Sequence, residues 1–111
     1  MTYVFDIDNT ICRKEKDTDY TSSTPLYDRI DKINYLYDSG NTIIFHTARG
    51  MGRHNNDIDA ATKQFYNMTK AQLSQWGVKY HTLFMGKPSG DIYVDDKGMR
   101  DEDFFRNEFR P

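Results

Sequence analysis

Short apolar runs alternate with longer stretches of helical periodicity along the 111 residues of this chain. Runs rich in β-branched and aromatic residues predict four strands, at 3–7, 42–46, 80–85 and 91–94. Between the first three, apolar residues at helical spacing predict helices at about 25–39 and 59–76. Strands that alternate with helices pair in parallel through right-handed crossovers. The sequence therefore predicts an α/β fold with a Rossmann-like, doubly wound parallel sheet.

Start and stop residues support both helices. Pro25 is tolerated in the first turn because its missing N–H would be unpaired there anyway, and Gly40 offers a left-handed cap at the end. A glycine also follows the second helix. After the last predicted strand, the tail carries Phe104, Phe105 and Phe109, which predicts a short helix that packs these rings.

The composition fits a single domain over residues 1–111, because domains most often hold about 100 to 150 residues. Lys and Arg number 15 against 17 Asp and Glu, so no long-range attraction to nucleic acid or to an anionic membrane is expected. The single cysteine, Cys12, excludes an intramolecular disulfide, and no run reaches the roughly 18 apolar residues of a transmembrane helix. With no charged and apolar leader at the start, the expected location is the cytoplasm.

Residues that could take part in catalysis or binding lie at the end of each predicted strand or just after it. The four segments are Asp6 to Thr10, His46 to Arg49, Lys87, and Asp95 with Asp96. In doubly wound sheets, ligands bind outside the carboxyl ends of the strands, at the point where the strand order reverses. We therefore expect these segments to converge on one edge of the sheet.

Two carboxylates, Asp6 and Asp8, lie two residues apart at the end of the first strand. A carboxylate attacks phosphorus as a nucleophile and forms an acyl phosphate, which divides one difficult hydrolysis into two easier steps. A second carboxylate protonates the leaving oxygen and then deprotonates the incoming water. The pattern predicts Asp6 as the nucleophile and Asp8 as the general acid and base.

Acids around a phosphoryl group repel it, so this site needs cations. Mg²⁺ prefers carboxylate and carbonyl oxygens together with water and substrate phosphate. Lys87 adds a fixed positive charge, and the Thr47 hydroxyl with the backbone N–H groups after Asp6 would bind the phosphoryl oxygens. The sequence thus predicts Mg²⁺ as cofactor, and its predicted ligands are Asp6, the backbone carbonyl of Asp8, and Asp95 or Asp96.

These residues resemble, in chain order, the four motifs of the haloacid dehalogenase superfamily. The resemblance spans residues 3–96 and rests on Asp6-Ile7-Asp8-Asn9-Thr10, Thr47, Lys87 and Asp95-Asp96. It implies a nucleophilic Asp6, an acid/base Asp8, a phosphoryl group held by Thr47 and Lys87, and Mg²⁺ placed by the late acids, of which Asp96 is favoured by analogy. The residues beside the first two motifs are then expected to bind substrate; they are Asn9, Thr10, Ala48 and Arg49.

A closer likeness is to the short phosphatases of capsular polysaccharide synthesis. It is carried by Thr47-Ala48-Arg49 with Asn56, by Gly86-Lys87-Pro88, and by Tyr93-Val94-Asp95-Asp96-Lys97 followed by Arg100 and Phe104. The likeness implies a small phosphorylated metabolite, such as a sugar phosphate, as substrate. The stretches 11–24 and 48–58 read as loops, so a core without a cap domain is expected. An open site of that kind suits a large substrate or a homo-oligomer whose neighbouring subunit covers it.

Alternative interpretations use the same residues. A nucleotide or a polynucleotide end is the alternative substrate, and a non-catalytic module that binds Mg²⁺ and phosphate is the alternative function. A receiver domain is disfavoured because its paired acids come early and its phosphorylated Asp lies in mid-chain. A calcium loop over 6–17 is disfavoured because it lacks Gly at its sixth position and ends in Asp17 rather than Glu.

Several other polar residues have ordinary structural interpretations. His46 is typical of a hydrogen-bonded histidine at a strand end, and Cys12 of a small buried thiol. Arg53 and His54 lie on the loop after Thr47, where a solvated charge is as expected as a substrate contact. Exposed ion pairs of Lys97 and Arg100 would contribute little.

Overall fold

The computed structural model describes residues 1–14 and 19–108, with side chains to 106. Its elements, in chain order, are β1 (Thr2–Phe5), β2 (Cys12–Arg13), a 3-10 turn (Tyr20–Ser22), β3 (Thr24–Pro25), α1 (Tyr27–Asp38), β4 (Thr42–Thr47), α2 (Ile58–Gln75), β5 (Thr82–Met85), α3 (Asp101–Asp103) and a π-helical turn (Phe104–Glu108). The fold is a small, compact α/β unit.

The central sheet has three parallel strands in the order β1-β4-β5. Phe5 lies opposite Phe45, and Phe45 lies opposite Leu83, so the strands end at the same edge. A separate two-stranded antiparallel ladder joins β2 to β3. It includes Pro25, which was predicted in the first helical turn and here pairs with Cys12. The first three predicted strands and both predicted helices are therefore confirmed, with boundaries that differ by a few residues.

Both long helices pack on one face of the sheet. Side chains alternate along a strand, so Phe5, Phe45 and Leu83 share one face, and they form one buried cluster with Ile33 of α1 and Leu73 of α2. The opposite face leaves Val4 61% and Phe84 52% exposed. Right-handed crossovers that advance in one direction place successive helices on the same side. In the part of the chain that is described, the sheet is wound on one side, and the doubly wound arrangement is incomplete.

The C-terminal turn closes the core beside β1. Phe104 and Phe105 pack edge to face against each other, and Phe5 contacts both rings. Arg29 of α1 fixes this segment through an ion pair with Asp101, at 2.6 Å. The predicted packing of these two rings is confirmed, whereas the third ring of that prediction, Phe109, lies outside the described residues.

The predicted fourth strand is absent from the structure described here. Residues 91–94 form no strand, and Ile92 and Val94 are 80% and 91% exposed. Local contacts replace sheet pairing here: the Tyr93 hydroxyl donates to the Pro88 carbonyl at 2.6 Å and accepts the Gly90 N–H at 3.1 Å. The ring of Tyr93 is thereby folded back over its own loop, and β1 keeps an unpaired outer edge among the described residues.

Within residues 1–14 and 19–108, no helix combines the length and the apolar character that a membrane-spanning helix needs.

Candidate active site

Three of the segments that hold predicted catalytic residues meet at the carboxyl edge of the sheet, as expected. Asp6 follows β1 directly, Thr47 ends β4, and Lys87 lies two residues beyond β5. The backbone N–H of Lys87 donates to the Thr47 carbonyl at 3.1 Å, which extends the pairing of β4 and β5 past their formal ends. The Lys87 Nζ lies 4.0 Å from the Asp6 Oδ1. A carboxylate and an ammonium thus face each other at this edge.

A tight turn after β1 sets the two acids apart. The Ile7 carbonyl accepts the N–H groups of Thr10 and Ile11, at 3.1 and 2.9 Å, and Ile7 and Ile11 are fully buried. Asn9 occupies the left-handed region with φ of 61°, a conformation that Asn tolerates better than most residues. The buried isoleucines anchor the turn, so Asp6 and Asp8 leave it toward different surroundings.

Asp6 is half-buried at the groove. Burial raises the pKa of Asp6 above its usual value of 3.8, while the positive charge of Lys87 and the N–H of Ile7 oppose this rise. The nearby Asp8 charge adds to it. Lys87 therefore partly offsets the desolvation of a carboxylate that a nucleophilic role requires to be ionised.

Asp8 is held by a buried arginine. The Nε of Arg49 donates to the Asp8 Oδ2 and the Nη2 donates to the Oδ1, both at 3.0 Å. The Arg49 side chain has no exposed surface, and the Asp8 side chain is 20% exposed. Fork-to-fork pairs of this kind fix both the position and the plane of the carboxylate.

Arg49 is supported on its other sides by α2 and by the 3-10 turn. Its Nη1 donates to the Gln72 Oε1 at 2.7 Å and to the Thr69 Oγ1 at 3.2 Å, and its guanidinium lies 4.7 Å from the centre of the Tyr20 ring. The Gln72 amide in turn donates to the Tyr20 carbonyl at 2.8 Å. The substrate-binding role of Arg49 stays a prediction, and in this structure its guanidinium is committed to protein groups.

The turn after β4 directs Arg49 inward. Its backbone N–H donates to the Thr47 Oγ1 at 3.1 Å, and Gly50 adopts a φ of 79° against the Phe65 ring, where a Cβ would come within 2.6 Å. Thr47 is buried and does not line the groove, so its hydroxyl organises this turn. Of the other predicted substrate residues, Thr10 lines the groove, Asn9 is exposed, and Ala48 is half-buried.

A groove of about 1270 Å³ runs along the free edge of β1. Beyond Asp6 and Lys87, its walls include His46, Tyr93, Asp95 and Asp96. This volume exceeds the roughly 300 to 1,000 Å³ of typical small-ligand pockets. The groove is therefore wider than a small phosphorylated substrate requires.

The predicted magnesium ligands are the side chains of Asp6 and of Asp95 or Asp96, together with the backbone carbonyl of Asp8. The Asp8 carboxylate, which is not the predicted ligand atom, has both oxygens bound by Arg49, and Asp95 accepts the backbone N–H groups of Lys97 and Gly98 in its own turn. These two hydrogen bonds lower the pKa of Asp95. Within residues 1–14 and 19–108, no three His, Cys, Asp or Glu side chains are grouped so that they could hold a metal ion. A magnesium requirement stays a prediction.

His46 and Tyr93 are groove residues to which the sequence interpretation gave no catalytic or binding role. Burial and the charge of Lys87 lower the pKa of His46, against the opposing effect of Asp6. The Lys87 Nζ lies 4.5 Å from the centre of the Tyr93 ring, which limits where the ammonium reaches. His46 was detectable as a polar residue at a strand end, and Tyr93 was noted only as the first residue of the motif Tyr93-Val94-Asp95-Asp96-Lys97.

Cys12 lies beneath Asp8 but is chemically quiet. Its side chain is fully buried, and its thiol donates weakly to the Ile7 carbonyl and to the Asp8 Oδ1, at 3.6 and 3.7 Å. Burial raises the pKa of this thiol to about 11, so it stays protonated at neutral pH. The interpretation as a small buried thiol is confirmed.

Comparisons with known proteins support the fold alone. No protein-family model matches the chain, and no curated protein matches it. A crystal structure of a structural genomics target from Vibrio cholerae is similar, with a TM-score of 0.86 and 23% sequence identity over 95% of this chain and 87% of that one. At that identity the likeness concerns architecture, and this chain shares its overall α/β architecture with the Vibrio cholerae protein.

Proposed function

We propose that this protein is a phosphomonoester hydrolase of the haloacid dehalogenase type that works through an aspartyl-phosphate on Asp6. The observation that carries the proposal is the division of labour between two neighbouring acids. Asp6 faces an open groove with Lys87 at 4.0 Å, whereas Asp8 is fixed by two nitrogens of a buried guanidinium. Two acids in unlike surroundings suit two roles, one nucleophilic and one for proton transfer.

In the first step, an Asp6 oxygen attacks phosphorus and the bond from phosphorus to the ester oxygen breaks. The leaving oxygen takes a proton from Asp8, and Lys87 offsets the negative charge of the phosphoryl group. In the second step, water attacks the phosphorus of the acyl phosphate and gives its proton to Asp8. The bond from phosphorus to Asp6 breaks, which releases inorganic phosphate and restores both acids.

The substrate class that follows is a small phosphorylated metabolite, such as a sugar phosphate in surface-polysaccharide synthesis. The open groove also accommodates something larger, or it is covered by a neighbouring subunit of a homo-oligomer. Mg²⁺ is the cofactor that the acid-rich groove and the resemblance favour. The steps above assign no proton transfer to Mg²⁺. Among the residues that the structure describes, no three His, Cys, Asp or Glu side chains are grouped around one possible metal position.

The proposal includes a second position of residues 91–94, in which they pair with β1 as the fourth strand of the sheet. Their apolar side chains are exposed, the outer edge of β1 is unpaired, and the groove separates the two. An unpaired edge beside an exposed apolar run favours strand addition. Parallel pairing there would complete the expected sheet and carry Asp95 and Asp96 to the strand end beside Asp6.

Amide hydrogen exchange tests this rearrangement. With inorganic phosphate and Mg²⁺ present, we expect slower exchange at residues 91–94 and 2–5 than in buffer alone, because paired amides are protected. The β4 amides, already paired on both sides, serve as the internal control. Unchanged exchange at 91–94 under saturating phosphate and Mg²⁺ would rule the strand addition out.

Phosphate release from a substrate panel tests the function. The panel holds sugar phosphates, nucleotides, a 5′-phosphorylated oligonucleotide and an aryl phosphate, each with Mg²⁺ or with EDTA. We expect turnover of sugar phosphates and of the aryl phosphate that EDTA abolishes. Preference for a nucleotide or for the oligonucleotide would show that the substrate is not a sugar phosphate. A folded protein that hydrolyses no compound of the panel would support the non-catalytic module instead.

A further inference from the structure

We infer that Arg49 is a positioning residue that holds Asp8 for the second half of the reaction, the hydrolysis of the aspartyl-phosphate. This inference rests on the proposed function. Arg49 does not line the groove and has no hydrogen bond to Asp6; its charge opposes the rise in the pKa of Asp6, and its direct contact at the site is with the Asp8 carboxylate. Its role is thus distinct from that of Lys87, which lines the groove and faces the nucleophile.

The geometry of the contact between Arg49 and Asp8 indicates which step of the reaction Arg49 supports. Both Asp8 oxygens accept hydrogen bonds from Arg49, which is a contact of the carboxylate form. A carboxylate accepts a proton from attacking water, as the second step requires. A bidentate pair also fixes the plane in which the remaining lone pairs point. Arg49 therefore prepares Asp8 to act as a base.

The surroundings of Arg49 explain how a buried charge is kept in place. Gln72 and Thr69 of α2 accept from its third nitrogen, and the Tyr20 ring lies against its plane. Gln72 also donates to the Tyr20 carbonyl, so helix and turn are tied together behind the guanidinium. This support fixes the position of Arg49 independently of the groove, and that in turn fixes Asp8.

Burst kinetics with an aryl phosphate separate the two steps. An aryl leaving group needs little protonation, so formation of the aspartyl-phosphate depends weakly on Asp8, whereas its hydrolysis depends on the base. In Arg49→Lys, which cannot make a bidentate pair, we expect steady-state turnover to fall roughly 10-fold to 100-fold. The rapid release of about one equivalent of phenol per active site should persist and become easier to see.

Two further variants keep the test decisive. Leu73→Ala weakens the same helix without touching Arg49, so it should lower burst and steady state together through loss of folded protein. If Arg49→Lys does not fold, Gln72→Leu removes the 2.7 Å support while Arg49 remains, and it should shift the ratio of burst to steady state in the same direction.

The outcomes distinguish this inference from the proposed function. A wild-type protein that turns over without any phosphorylated intermediate contradicts the aspartyl-phosphate mechanism itself. A wild type that forms the intermediate, with Arg49→Lys or Gln72→Leu lowering burst and steady state in equal proportion, overturns the role of Arg49 alone.

Discussion

Asp6→Asn should reduce turnover by roughly 10⁴-fold or more, the loss typical of removing a catalytic nucleophile, and it should also raise the melting temperature. The activity is lost because an amide oxygen does not form an acyl phosphate. The gain in stability has a separate cause, the burial of a charge. An active-site residue that is destabilising in the folded state is a common cost of function.

The sign of the stability change follows from the pKa of Asp6. Burial raises that pKa above 3.8, so the folded protein binds a proton at Asp6 more tightly than the unfolded chain does. Ionised Asp6 therefore lowers the free energy of unfolding, and this loss develops as the pH rises from 3.8 through the raised pKa. Asn carries no charge, so the advantage of the variant should be present at pH 7 and should vanish below pH 3.8.

Melting curves between pH 3 and pH 8 check this, with Asp31→Asn as the matched control. Asp31 is an exposed acid on α1, and its replacement should leave turnover unchanged. Full activity of Asp6→Asn would remove the nucleophile from the mechanism. A lower melting temperature at pH 7 would show that the attraction of Lys87 outweighs desolvation.

Asp8→Ala should destabilise the fold by about 3 to 5 kcal/mol, the range found when one partner of a buried ion pair is removed. Arg49 has no exposed surface, so its charge would remain inside with only neutral partners, Thr69 and Gln72. Urea unfolding measures the loss. A smaller effect is expected for Asp8→Asn, whose amide oxygen still accepts one hydrogen bond.

A double-mutant cycle with Arg49→Met isolates the pair. Met is close in size to the aliphatic part of Arg and carries no charge, so Asp8→Ala should cost much less in its presence. We expect a coupling energy of about 2 kcal/mol or more, as contacting buried groups give. Additive effects would mean that water or another group neutralises Arg49 when Asp8 is absent.

The regular elements were predictable because their signals are local. Apolar runs with β-branched residues predict β1, β4 and β5, and helical spacing predicts α1 and α2. The residues at 91–94 carry the same strand signal, yet periodicity does not report whether a segment pairs with the sheet edge beside it. The hydrogen bonds of Tyr93 to its own loop decide that region instead.

The site was predictable in its residue types but only partly in its geometry. The convergence of Asp6 and Lys87 follows from parallel strands that end at one edge. The pairing of Asp8 with Arg49 joins residues 41 positions apart and has no local signature. Its sequence signal lies elsewhere: Thr69 and Gln72 are polar residues on the buried face of α2, which indicates a buried polar partner.

Trapping the phosphorylated protein during turnover tests the central claim most directly. The wild type is mixed with an excess of aryl phosphate and quenched in acid within milliseconds, and its peptides are examined by mass spectrometry before and after hydroxylamine treatment. The account predicts a phosphoryl group on Asp6 that hydroxylamine removes and that Asp6→Asn lacks. Sustained phosphate release with no phosphoryl group on Asp6, or with one on another residue, would contradict it.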